Sequence, residues 1–430
     1  MLILLNLLFL GLISFLLYKK SKQQSLRKHF WFALVVRVVA GIGLGLVYWF
    51  FYKGGDTVTL FGDGVALAKY AKQNPSDYLH FLFFDVWEED QHVYRILQIT
   101  NPRAVFMSKA ISIVNLLTAD NYWLTSVYFS LFSFAGSWFC ANKLANTFRS
   151  YQSLVAFSFF YFPSFVFWSS GIIKESLLVG SIGFLVALLP FKNNSGLGVN
   201  RSSLWKILAF CLLSVLILKL KYYYLGGLLA AIFSYYLTQL LLPRKFEKWS
   251  YVSMLGFFTL ILIGSTFFHP NLNIGVFLNA LVKNNQIMVE ATANESNLIL
   301  FEGLTPDWTC VLKNIPKAVW EGMYRPYLWE EGHWLKRLSA IEAAFIFSLS
   351  IFSVPVFIKL LFKKKLEAWV IPVLLYSFLM LCILPIAAPN IGNLVRYKVG
   401  FSPFLTLLML IGAVNFTDYF TKFRIIKRLF

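Results

Sequence analysis

The chain has 430 residues, 58% of them hydrophobic and 14% charged, with a mean hydropathy of +0.65. A soluble domain with a polar exterior does not reach that balance, so the sequence reads as an all-α integral membrane protein. Its formal charge of +19 lies mostly in short loops between apolar runs, a pattern that points to anionic headgroups of a lipid bilayer and argues against nucleic acid.

In chain order, eleven apolar intervals suit helical crossings of about 30 Å of hydrocarbon: 2–18, 30–52, 121–140, 151–170, 175–191, 206–220, 223–242, 250–268, 343–362, 369–388 and 399–416. They predict a single polytopic domain over 1–430. The first interval has its lysines after the apolar run rather than before it, and no small-residue cleavage site, so it reads as a retained spanning helix and not a signal peptide. Two intervals rest on slender breaks: SSGIIKES separates 151–170 from 175–191, and KLKYYY at 219–224 has to serve as a tight turn.

Basic clusters fall in alternate loops, which hold 21 of the 39 Lys and Arg residues and so mark the cytoplasmic side. The expected topology has the N-terminus outside and the C-terminus in the cytoplasm. Only Glu247, Glu367 and Asp418 among the acidic residues then fall inside. A polar substrate is therefore expected at the outer face. Two large outer loops, about 53–120 and 269–342, contain apolar residues at helical spacing between charges, the pattern of amphipathic helices lying on a membrane surface. Trp308, Trp320, Trp329 and Trp334 in the second loop suit either interfacial anchoring or stacking on sugar rings.

Candidate chemistry lies mostly near these loops. LFGDGVALAKYAKQ (60–73) reads as a Gly-Asp-Gly turn past a helix end, which would hold the Asp63 carboxylate at the membrane edge as a general base, or would simply be a polar turn. Asp56 and the cluster Asp85, Glu88, Glu89, Asp90 read either as a solvated face or as contacts to an acceptor or a divalent cation such as Mg or Mn. Lys174 and Glu175 form a self-satisfied pair in one reading; in the other Lys174 contacts a phosphate. Arg396 and Lys398 in NLVRYKVGFSP, and Arg325 in YRPYLWEE with Glu330 and Glu331 nearby, are candidate phosphate ligands, with snorkelling to the headgroups as the alternative. Arg37 stands out as an ionisable group within a spanning interval. Scattered cysteines and dispersed histidines give no disulfide framework or metal-ligand spacing. No P-loop, nucleophile elbow or dinucleotide fingerprint occurs.

An acidic residue soon after an early spanning helix, amphipathic outer segments, about eleven crossings and outer basic residues together resemble the GT-C class of polyprenyl-phosphate-sugar-dependent glycosyltransferases. The resemblance implies a bacterial cytoplasmic membrane enzyme of cell-envelope polysaccharide assembly, with other envelope-glycan assembly proteins as partners. It implies Asp63 as the catalytic aspartate and Lys174 and Arg396 as lipid-phosphate ligands. PSFVFWSSGIIKES, YRPYLWEE and NLVRYKVGFSP are also similar to segments of O-antigen-polymerase-like proteins, which use undecaprenyl-diphosphate-linked glycans. A transporter or flippase is the third class, disfavoured because few ionisable groups sit in the spans.

Overall fold

A computed structural model describes residues 1–84, 92–190, 201–242, 249–268, 273–363 and 366–427. It is helical throughout, with no strand among the described residues. Among the described residues six helices are long and apolar enough to cross a membrane, or seven if a pair bent by 78° at residue 401 counts as one span. The chain divides into two compact units, Met1–Tyr222 and Tyr223–Phe430.

The N-terminal unit contains α1 (Leu2–Lys20), α2 (Phe30–Leu46), α3 (Asp56–Gln73), α4 (Pro75–Phe83), α5 (His92–Arg95), α6 (Pro102–Thr118), α7 (Tyr122–Thr147), α8 (Gln152–Ala156), α9 (Pro163–Trp168) and α10 (Lys174–Leu188). Helix α11 (Arg201–Leu241) follows and carries non-helical dihedrals at Lys221, where the sequence predicts a turn between two spans. Intervals 151–170 and 175–191 are built differently from long spans. The first is the two short helices α8 and α9 joined through a π-turn over Phe157–Tyr161, and the second is the 15-residue α10.

Helix α7 packs on α10 at backbone distance: a Cβ added to Gly136 would stand 2.1 Å from the carbonyl oxygen of Gly180. Small residues permit this approach, as is common between helices in membranes. Helix α1 is held by one polar seam. The Asn6 amide donates to the Leu117 carbonyl at 3.0 Å, and Tyr128 donates to its Oδ1 at 2.7 Å, while most of its leucines stay exposed.

Arg37 on α2 is fully buried. Its guanidinium donates to Ser133 at 3.4 Å and Ser137 at 3.2 Å on α7, to the Phe159 carbonyl at 3.3 Å and to Ser169, and it lies 5.0 Å from the Phe165 ring. Irregular backbone inside a membrane needs partners from the protein itself. Arg37 supplies them to the broken segment 157–169, and its cost is met by hydroxyls, a carbonyl and a ring. Arg37→Met is expected to lower stability by about 2–4 kcal/mol through the acceptors it orphans, read as a lower unfolding temperature of the detergent-solubilised protein.

The C-terminal unit contains α12 (Ser250–Phe268), α13 (Ile274–Glu290), α14 (Trp308–Tyr324), α15 (Trp334–Phe362), α16 (Val370–Ala387), α17 (Ile391–Tyr397) and α18 (Ser402–Lys427). Leu278 and Leu281 of α13, Val311 and Ala318 of α14, and Ile386 of α16 share one buried cluster. Asn285 adds a hydrogen bond to the Ile386 carbonyl at 2.7 Å.

Candidate functional site

The Gly-Asp-Gly motif is the interior of a helix and not a turn. Asp63 sits midway along α3, and the glycine after it serves close packing: a Cβ on Gly64 would stand 2.4 Å from Cγ2 of Ile111 on α6. The carboxylate is 1% exposed and accepts the backbone N–H groups of Gln98 at 2.8 Å and Ile99 at 3.2 Å, one on each oxygen. Burial raises its pKa above the ordinary carboxylate value, and the two N–H donors oppose that shift. This geometry gives Asp63 a positioning role: it ties the segment after α5 to α3. Asp56 opens α3 in the first turn, where its charge complements the helix N-terminus. Glu88 and Glu89 lie outside the described residues.

Lys174 is the first residue of α10. Glu175, its neighbour, is bonded to Lys221 at 2.7 Å, both side chains being almost completely buried. Lys221 is also the residue with non-helical dihedrals, so the break in α11 coincides with an ion pair to α10.

In the C-terminal unit the structure gathers several predicted residues around the end of α14. Arg325 follows that helix. Its Nε donates to Glu330 at 2.7 Å, Nη1 to Glu321 at 3.1 Å and to the Leu298 carbonyl at 2.8 Å, and Nη2 to the Ser296 carbonyl at 3.2 Å. With most of its donors engaged, Arg325 clamps the loop together and is not a ready phosphate ligand, which corrects the sequence expectation. Burial works against its charge, yet Glu330 and Glu321 outweigh that and raise its pKa. Burial works against the Glu330 carboxylate in the same way; Arg325, the Tyr327 N–H and Lys336 override it and hold the pKa low. Glu330 is thus engaged by Arg325 and by Lys336 at 3.2 Å.

Lys398 lies beyond α17 and donates to the carbonyls of Gly322 at 2.9 Å and Arg325 at 3.4 Å, capping the end of α14. Arg396 is 8% exposed, with its guanidinium 5.2 Å from the neighbouring Tyr397 ring. The start of α17 is tied to the same loop: Leu298 bridges to Asn390, and the Ile299 N–H donates to the Pro389 carbonyl at 2.9 Å. Above this frame Tyr327 and Trp329 stack with ring centres 4.9 Å apart at 11°, leaving Trp329 78% exposed. The Tyr327 N–H is fixed by Glu330 at 3.1 Å, and its hydroxyl accepts from the Trp320 indole at 3.0 Å.

Sequence reasoning missed Glu321, Lys336 and Lys221. Glu321 was readable as an i,i+4 partner of Arg325. Lys221 stood in the KLKYYY interruption, but nothing local named Glu175 as its partner. Among the described residues no group of three His, Cys, Asp or Glu side chains is placed to hold a metal ion. Comparison with protein-family models, characterised proteins and solved structures finds no match to this chain.

Proposed function

We propose that this protein is a membrane glycosyltransferase that moves a sugar from a polyprenyl-phosphate-linked donor to a glycan, lipid or protein acceptor at the outer face of a bacterial cytoplasmic membrane, in a bundle of the GT-C kind. The carrying observation is the Tyr327–Trp329 stack with Trp329 outermost and exposed, held by the Arg325–Glu330–Lys336 clamp where the spanning helix α15 begins. A rigid aromatic face beside a lipid-embedded helix suits the apolar face of a pyranose whose carrier lies in the bilayer. Arg396 is the candidate ligand for the lipid phosphate, because a guanidinium matches phosphate oxygens with paired donors. Lys174, at the start of α10, is the second candidate. Lys398 supports the loop from beneath.

In the transferase reading a carboxylate takes the proton from the acceptor hydroxyl as it attacks the anomeric carbon, and Asp63 of the N-terminal unit is the candidate for that role. A second reading is a polymerase or ligase acting on undecaprenyl-diphosphate-linked glycans, in which Asp63 is structural. The two backbone N–H groups that occupy its oxygens favour that reading.

Kinetics with defined donors test the platform and the phosphate ligand separately. Trp329→Ala is expected to raise the donor KM about tenfold, from the loss of roughly 1–1.5 kcal/mol of ring contact, and Arg396→Ala to lower kcat/KM about a hundredfold. Unchanged kinetics in both variants would remove the site from this part of the protein.

A further inference from the structure

Helix α14 exposes an apolar stripe that the transferase reading touches only at Trp320, through its bond to Tyr327. Trp308, Leu312, Pro316 and Trp320 recur every fourth residue and all are exposed. Turning round the helix, Val311, Ala318 and Gly322 face the protein, the stripe comes next, and the exposed Lys313 and Lys317 follow on the far side. At about 100° per residue these follow one another round the helix, with Lys313 bordering the stripe on the side of Trp320.

Its depth is set by what it touches. Val311 and Ala318, two turns apart, pack in one cluster with Ile383, Ile386 and Ala387, the last turns of α16, so α14 crosses the end of that span. Gly322 packs against Pro385, where a Cβ would stand 2.4 Å from the ring, again near the end of α16. On α15 the last ionisable residue before the apolar run is Glu342. The Trp320 and Tyr324 rings meet Phe347 there, with centres 6.1 and 5.2 Å apart, about one turn inside the run. The exposed stripe therefore meets α15 at Phe347, on the side of that helix where Ile351, Val354 and Ile358 are also uncovered.

From this continuity we propose that α14 lies in the interface of the lipid bilayer, with Trp308, Leu312, Pro316 and Trp320 at the boundary of the acyl chains and Lys313 and Lys317 on anionic headgroups. Ring-bearing side chains at the ends of the stripe suit that level, as in the aromatic belts of membrane proteins. Pro316 lacks the N–H that would bond the Leu312 carbonyl. That carbonyl is satisfied by water at an interface and not in the hydrocarbon core.

A benzophenone-bearing phenylalanine placed at Leu312 or at Trp320, in the full chain reconstituted in vesicles of mixed zwitterionic and anionic phospholipid, tests this by photocrosslinking and mass spectrometry. Phospholipid adducts are expected at both positions and absent from a control at exposed Glu302. Lys313→Gln and Lys317→Gln are each expected to lower the anionic share of adducts about fivefold. Adducts only to a second copy or to another protein, or none above the control, would overturn the proposal; so would lipid adducts whose anionic share ignores both lysine changes.

Discussion

Glu175→Gln and Lys221→Met are each expected to destabilise the protein by about 3–5 kcal/mol, whereas the double variant recovers most of that loss. The reason is desolvation. The two charges meet at 2.7 Å with side chains only 2% and 5% exposed, so removing one takes a counter-charge at contact distance away from a buried charge. Removing both replaces an expensive pair by neutral groups, often at little net cost. The measurement is a double-mutant cycle on thermal unfolding of the detergent-solubilised protein. Additive losses, with no recovery in the double variant, would show that the pair does not exist. A further consequence is local: Lys221 carries the non-helical dihedrals of α11, so the single Lys221 variant is expected to increase protease sensitivity near that break.

Asp63→Asn is the second large effect, and its form discriminates between mechanisms. A true base is expected to lose about a hundred- to ten-thousand-fold in kcat with the donor KM nearly intact. If the carboxylate only positions the segment at Gln98 and Ile99, activity persists and stability changes instead, because an amide can accept from one N–H but turns its own donor toward the other. The pH dependence has a definite sign. Burial raises the Asp63 pKa in the folded protein, so the folded state holds that proton more tightly than the unfolded chain. Its contribution to stability is complete below the unfolded carboxylate value and is lost as pH rises through the elevated folded value. Asp63→Asn is expected to flatten that fall in an unfolding series run across the same pH window. An unaltered pH profile would contradict the assigned environment.

Helical class and several spanning helices were legible from composition and run length, because apolar runs near 20 residues have few soluble uses. The expectations that needed long-range partners were not. GDG reads locally as a turn because glycine is free to make one, yet Gly64 is there to admit Ile111. SSGIIKES looked like a break between two spans, but the interval before it is short helices pinned by Arg37, more than a hundred residues earlier in the chain. Arg325 looked like a ligand because a guanidinium offers phosphate paired donors; the structure gives its donors to Glu330, Glu321 and two carbonyls. Lys398 was also proposed as a ligand and caps α14 instead. Periodicity reveals which face a residue shares with its near neighbours and carries no information on what the far chain brings to it.

Incubation of the purified wild-type protein, in lipid, with sugar-labelled polyprenyl monophosphate and polyprenyl diphosphate donors and a mixture of envelope-glycan acceptors tests the central claim most directly. The transferase account predicts label moving to an acceptor from the monophosphate donor, with polyprenyl phosphate released in equal amount. Consumption of the diphosphate donor alone would contradict it in favour of polymerisation, and label remaining on both carriers would contradict transfer altogether.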